Sequence, residues 1–256
     1  MVRSVTEAVV LWGRNMLKLV RVPLLLFFSL FQPLLFLFLF SQVFSRTAQL
    51  PGFRYDNYLQ FLAPSIVALT SLNSAFQSGL GMVTDMEDGL LDKFLIAPIR
   101  RSSILLGKVF ADGSRIMAQA LIVVGVAFVM GTRVKTGPLG ILAMLVLAAF
   151  FGVAWAGLSN VVALRTGNGE LTMMIGIIIT FPVLFLSTAL MPALLLPSWL
   201  DAVSAFNPIT YLVEALRALV NDGWDWTAIG QSIAVTAAVA AVTFSAATRA
   251  FRKAIA

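Results

Sequence analysis

From Val22 to Phe44 the chain carries no ionisable side chain, and long apolar runs of the same kind recur as far as Ala247. A backbone inside hydrocarbon must satisfy its own hydrogen bonds, so runs of this length fold as helices or not at all. A soluble domain has about 25% charged residues, whereas this chain has 12%, with 59% hydrophobic residues and a mean hydropathy of +0.93. That polar surface is too small to cover a water-soluble globule. The expected class is all-α: a polytopic membrane protein of six transmembrane helices, forming one domain over residues 1–256. Each span takes roughly 20 residues, which leaves no room for a soluble catalytic domain.

The chain has no Cys and no His. Thiol nucleophiles, disulfides, the usual zinc sites and imidazole acid–base chemistry are therefore excluded, and no metal site is expected. The net charge is +6. In a membrane protein such an excess reports loop orientation and contact with anionic lipid. No basic run with interleaved aromatics points to nucleic acid.

Residues 1–21 place Val5, Val9, Trp12, Met16 and Leu19 on one helical face and Arg14, Lys18 and Arg21 on another. That pattern suits an interfacial helix, with a soluble lead-in as the alternative. No cleavage site of the small-x-small kind follows Phe44, which argues against a signal peptide. The expected spans are Val22–Phe44, Tyr58–Val83, Ile116–Met130, Leu139–Leu164, Leu171–Leu190 and Trp226–Ala247. Pro33 and Pro182 should kink the first and fifth. The fourth offers a small-residue packing face of Gly152, Ala154, Ala156, Gly157 and Ser159.

The second span is unusually polar, with Asn73, Ser74, Gln77, Ser78 and Gly81 at helical spacing on one side. Polar side chains are costly in hydrocarbon, so this side faces other helices or a wet cavity. A pathway wall and hydrogen-bonding glue between helices both satisfy that requirement. No Asp, Glu or His falls in the expected span cores, which argues against an ion-coupled secondary transporter.

Two segments break the apolar pattern. Thr84–Lys108 holds eight of the thirty Asp, Glu, Lys and Arg residues. Asp85 is a candidate cap with Asp88 in a weak capping box, and Glu87 and Asp88 suit a helix start. Leu90, Leu91, Phe94 and Leu95 form an apolar stripe from which Asp92 and Lys93 point away. Ala97-Pro98 stops the helix, Arg100 and Arg101 suit the headgroup level, and Gly107 and Lys108 lead into the third span. The stripe either docks on something in the water phase or rests on lipid. In the second segment, 191–225, Pro192, Pro197 and Pro208 interrupt a moderately apolar run containing Asp201, Glu214 and Arg217. Two short helices, Pro197–Ala205 and Pro208–Leu219, are expected to dip into the membrane and out again, the second capped by Asn207. Glu214 and Arg217, three apart, can pair. With the N-terminus inside, inner segments hold thirteen Lys and Arg against five outside. Both termini and 84–108 are thus expected in the cytoplasm, with 191–225 outside.

The run from Glu87 to Lys108, EDGLLDKFLIAPIRRSSILLGK, resembles the signature of type-2 ATP-binding-cassette permeases at Glu87, Gly89, Leu90, Asp92, Phe94, Pro98, Arg101, Gly107 and Lys108. NPITYLVEALR, from Asn207 to Arg217, resembles a second signature of the same family. The short first loop resembles the compact subgroup of daunorubicin-resistance and nodulation-type exporters. The resemblance implies that 84–108 carries a coupling helix seated on a nucleotide-binding ATPase subunit, with Asp88, Leu91, Lys93 and Leu95 completing the contact. It implies an outer re-entrant gate built from Asn207, Pro208, Tyr211, Glu214 and Arg217. No phosphate-binding loop occurs here, so the resemblance puts ATP and Mg2+ in the partner subunit and makes this chain non-catalytic. A second permease copy, most simply in a homodimer, completes the pathway. The place implied is the cytoplasmic membrane of a prokaryote. The expected substrate is an amphipathic drug-like or lipid-linked molecule, passing near the first, second and fifth spans, with Ser71, Asn73, Ser74, Gln77, Phe181 and Phe185 as lining. A polysaccharide or lipooligosaccharide is the alternative cargo. The 20 Phe residues are too widespread to mark a glycan-binding row.

Overall fold

The structure is a computed structural model describing residues 9–10, 12–14, 16–17, 23–49, 53–89 and 101–254, with side chains at 23–26, 47, 101–105 and 251–254 not among them. The described residues of 9–17 are helical. Eight further α-helices follow: α1 (Pro23–Val43), α2 (Tyr58–Glu87), α3 (Arg101–Val129), α4 (Gly137–Thr166), α5 (Gly169–Phe185), α6 (Ser198–Ser204), α7 (Pro208–Arg217) and α8 (Trp226–Ala254). No strand occurs among the described residues.

Each helix start has a local cause. Pro23 opens α1 at a position where its missing N–H costs nothing. The Asn57 side chain caps α2 by accepting from the Gln60 N–H at 2.8 Å. Asn168 does the same for α5 through the Leu171 N–H at 3.0 Å. Asp225 caps α8, accepting from the Thr227 N–H at 2.9 Å and the Ala228 N–H at 3.1 Å. Gly167, at φ +58°, ends α4 in the left-handed conformation that glycine adopts without penalty.

Four helices are long and apolar enough to cross a membrane: Tyr58–Glu87, Leu106–Val129, Gly137–Thr166 and Trp226–Ala250. Phe27–Val43 and Gly169–Phe185 are shorter apolar helices. The expected fifth span therefore ends early, at Phe185 rather than Leu190, because the backbone turns out of the helix before Pro192. The third span, expected from Ile116 or several residues earlier, lies in an apolar helix that runs from Leu106, which brings Asp112 and Arg115 inside it. The expectation of acid-free span cores fails at Asp112, which is 8% exposed. Its carboxylate is ion-paired to Arg115 at 3.2 Å rather than open to an ion.

α2 is the hub. Its membrane-length window is 89% buried, and it packs against α1, α3, α4, α5 and α7. α4 packs mainly on α2 and α8. The small residues expected on one face of α4 serve both neighbours. A Cβ on Gly152 would come 3.1 Å from the Ser71 carbonyl oxygen on α2, and one on Gly157 would come 2.8 Å from Thr243 Cβ on α8. Ser159 stands against Gly79 of α2, and Thr243 Oγ1 donates to the Ala154 carbonyl at 2.7 Å. Close backbone approach supplies here the dispersion that lipid cannot.

The ends of the bundle separate cleanly. At one end, Gln60 Nε2 donates to the Arg133 carbonyl at 2.7 Å, the Lys135 N–H to Val220 O at 2.9 Å, and Thr136 Oγ1 to Leu219 O at 2.7 Å. At the other, Trp12 Nε1 donates to Ser114 Oγ at 3.0 Å, and Arg14 lies 3.9 Å from Asp85.

Candidate functional site

The polar side of α2 divides into two surfaces. Asn73 and Gln77 face a groove of about 260 Å³ between α1, α2 and α5. Its walls include Phe28, Ser29, Gln32 and Phe36 from α1, Phe76 from α2, and Gly176, Thr180 and Phe181 from α5. Phenyl rings and uncharged hydrogen-bonding groups thus alternate around one space. None of the lining residues is ionisable. Phe76 fits because Gly176 has no side chain: a Cβ there would lie 2.7 Å from Phe76 Cδ1.

Of the residues expected to line a pathway, Asn73, Gln77 and Phe181 lie together here. Phe185 does not line the groove; it is exposed and stacks on Phe181 at 6.0 Å between ring centroids. Ser71 is fully buried and returns its hydroxyl to the Val67 carbonyl at 3.1 Å. Ser74 is buried too, its hydroxyl donating to Gln119 Oε1. The first span was expected beside the pathway, but none of its lining residues was named. Their signal was available, since Ser29 and Gln32 interrupt an otherwise apolar half-helix.

Behind the groove, α3 presents Lys108, Asp112, Arg115 and Gln119 to α2. Lys108 Nζ donates to the Ser78 carbonyl at 3.1 Å, and Ser78 Oγ donates to Asp112 Oδ2. Arg115 donates to the Ser74 carbonyl at 2.7 Å. Gln119 Nε2 continues to Ser29 Oγ on α1 at 2.7 Å. For these α2 serines the glue reading describes the contacts.

At the α6–α7 end, Pro208 occupies the first turn of α7. Asn207 caps it by accepting from the Ile209 N–H at 3.2 Å, while its Nδ2 donates to the Val183 and Leu186 carbonyls at 2.6 and 2.9 Å. One carboxamide thus ties the end of α5 to the start of α7. Tyr211 OH donates to the Ala205 carbonyl at 2.7 Å. Arg217 is 1% exposed. Its guanidinium donates to Glu214 Oε1 at 2.9 Å, Ser65 Oγ at 2.9 Å, and the Thr188 and Ala189 carbonyls at 2.7 and 2.9 Å. It also lies 3.7 Å over the Phe61 ring. A buried cation is tolerated when every donor is used and its charge is paired. In the adjoining loop, burial raises the pKa of Tyr55, keeping the phenol neutral.

In the candidate coupling region α2 runs on through Glu87. Asp85 is therefore in the last turn of α2 rather than capping a new helix, and Glu87 and Asp88 close a helix instead of opening one. Gly89, at φ +61°, follows the C-cap Asp88, and its N–H donates to the Met86 carbonyl at 3.0 Å. Leu90, Leu91, Asp92, Lys93, Phe94, Leu95 and Pro98 lie outside the described residues, as does the Arg101 side chain. Gly107 is buried in α3. No cluster of Asp and Glu among the described residues could hold a metal ion.

A helical bundle with four helices long and apolar enough to cross a membrane and with buried polar contacts between them is the architecture of a polytopic membrane protein. The chain belongs to the ABC-2 type transporter family, whose profile matches residues 6–220. It is 33% identical over 225 residues to the ycf38 chain of Cyanophora paradoxa, named as a transport permease, covering 85% of this chain and 75% of that one. It is 28% identical over 235 residues to the daunorubicin resistance ABC transporter permease protein DrrB1 of Streptomyces coeruleorubidus, covering 91% and 81%. The multidrug-named ABC transporter permease YbhR of Escherichia coli strain K12 is 21% identical over 198 residues, covering 77% and 53%.

Proposed function

We propose that the chain is the membrane-spanning, non-catalytic permease subunit of an ABC exporter. It moves an amphipathic drug-like or lipid-linked molecule out across the cytoplasmic membrane of a prokaryote. The observation that carries the reading is the groove between α1, α2 and α5. There Asn73, Gln77, Ser29 and Gln32 sit among Phe28, Phe36, Phe76 and Phe181. Aromatic faces take flat apolar cargo, and amides and hydroxyls take its neutral polar groups.

In this reading α1 and α5, flanking α2, complete a six-span topology, and α6–α7 form an outer re-entrant gate held by Asn207 and Arg217. Residues 84–108 face the cytoplasm and seat on a separate nucleotide-binding subunit, where ATP and Mg2+ are bound. Two permease copies enclose the pathway, with lipid around them. The excess of basic residues at the end bearing Arg14, Lys108 and Arg249 supports that orientation.

The test is copurification with a nucleotide-binding ATPase, followed by ATPase assays in lipid with daunorubicin as the probe. Stimulation that falls on Asn73→Leu or Phe181→Ala substitution is the expected result. A chain that recruits no ATPase would overturn the reading.

A further inference from the structure

The stripe Lys108, Asp112, Arg115 and Gln119 steps by four, three and four, so its side chains line one face of α3. Opposite it, α2 offers only Ser74 and Ser78, one helical turn apart. Each serine is held twice. Ser78 gives its hydroxyl to Asp112 and accepts Lys108 at its carbonyl. Ser74 gives its hydroxyl to Gln119 and accepts Arg115 at its carbonyl. Ser74, Ser78 and Gln119 are each 1% exposed. If α3 slid along α2, the Asp112–Arg115 pair would travel with it, but Asp112 would lose the Ser78 hydroxyl and Arg115 the Ser74 carbonyl. That penalty fixes the register.

The two ends of the stripe matter most. The lower end, Lys108, lies within two turns of Arg101, where α3 leaves the segment that joins it to α2. The upper end, Gln119, reaches Ser29, and Ser29 lines the groove. We propose that Lys108, Asp112, Arg115 and Gln119 form a register-locking ladder that carries displacement of the Arg101 end of α3 to the groove through Ser29. This rests on the ABC permease reading above. Without the ladder, α2 and α3 would slide past one another and absorb the movement. With it, the inner halves of both helices move as one body and draw on the α1 wall. These are positioning residues; none but Ser29 touches the groove.

The test uses the permease with its ATPase subunit in lipid vesicles. Because the chain has no cysteine, Gln32→Cys supplies a single groove reporter, read by its maleimide labelling rate with and without ATP. With the ladder intact, ATP should change that rate. Gln119→Met, close in volume but lacking both hydrogen bonds, should abolish the change while ATPase activity stays within about twofold. Asp112→Asn leaves the half-buried Arg115 without its carboxylate and risks misfolding, so the double variant Asp112→Asn/Arg115→Gln, which removes both charges together, accompanies it. The double variant should fold and also lose the ATP response. An ATP response retained in Gln119→Met and the double variant would overturn the ladder while leaving the permease reading intact. Absence of any ATP response with the ladder intact, together with no bound ATPase, would overturn the permease reading and the ladder with it.

Discussion

At the residue scale, Arg217 shows how a charge becomes part of a membrane protein's framework. Its donors are spent on Glu214, Ser65, the Phe61 carbonyl of α2, and the Thr188 and Ala189 carbonyls just beyond the end of α5. Arg217→Met strands those carbonyls and leaves Glu214 without its cation. The expected loss is about 3–5 kcal/mol, seen as a lower unfolding temperature in detergent. Lysine should not rescue it, since a single ammonium cannot reach the same fork of acceptors. Gly89 makes a different demand. A Cβ there meets nothing within 4 Å, so only its φ of +61° resists substitution. Gly89→Val should cost about 1–3 kcal/mol of local strain and uncouple ATPase stimulation, whereas Gly89→Asn should be better tolerated. Full coupling in the Val variant would contradict this.

At the element scale, α2 and α4 touch through their small residues. A Cβ on Gly79 would fall 2.7 Å from the Ser159 carbonyl oxygen, whereas one on Gly81 meets nothing within 4 Å. Gly79→Ala should therefore destabilise the bundle by about 1–3 kcal/mol, and Gly81→Ala should be neutral or slightly stabilising. Thermal unfolding of the two variants side by side checks both. The elements also show what the sequence could and could not convey. Apolar run length located the core of every long helix, and the prolines and Asn207 marked α6 and α7. Helix ends were less legible. Asp85, Glu87 and Asp88 look like a helix start by composition, yet α2 runs through them because its apolar stripe holds to Val83 and its last turn continues to Gly89. Asp112 and Arg115 read as loop charges because their hydrogen bonds to Ser78 and the Ser74 carbonyl on α2 are invisible in one dimension, although their own i,i+3 pairing is not. The same blindness made Arg217 an outer basic residue in the orientation count, although it is buried.

At the scale of the whole molecule, three groups of polar side chains stand out among the described residues: a groove, a ladder behind it, and the Arg217 knot near the turn out of α5. Much of the remaining surface is exposed apolar side chains, among them Phe27, Phe31 and Phe38 on α1 and Met174, Ile178 and Phe185 on α5. Such a surface suits lipid. The fold class and the second-span contribution to the groove were legible because polar residues in an apolar run must face something other than lipid. Which α1 residues line it, and the division of labour between Asn73 and Ser74, adjacent in sequence, were not, because helix rotation is set by the neighbours. The central claim is that ATP hydrolysed in a partner subunit drives cargo through this chain. It is tested most directly by daunorubicin accumulation in inverted membrane vesicles holding the permease and its ATPase. The account predicts accumulation with ATP, none with a non-hydrolysable analogue, and persistence when a protonophore collapses the proton gradient. Accumulation without ATP that the protonophore abolishes would contradict it.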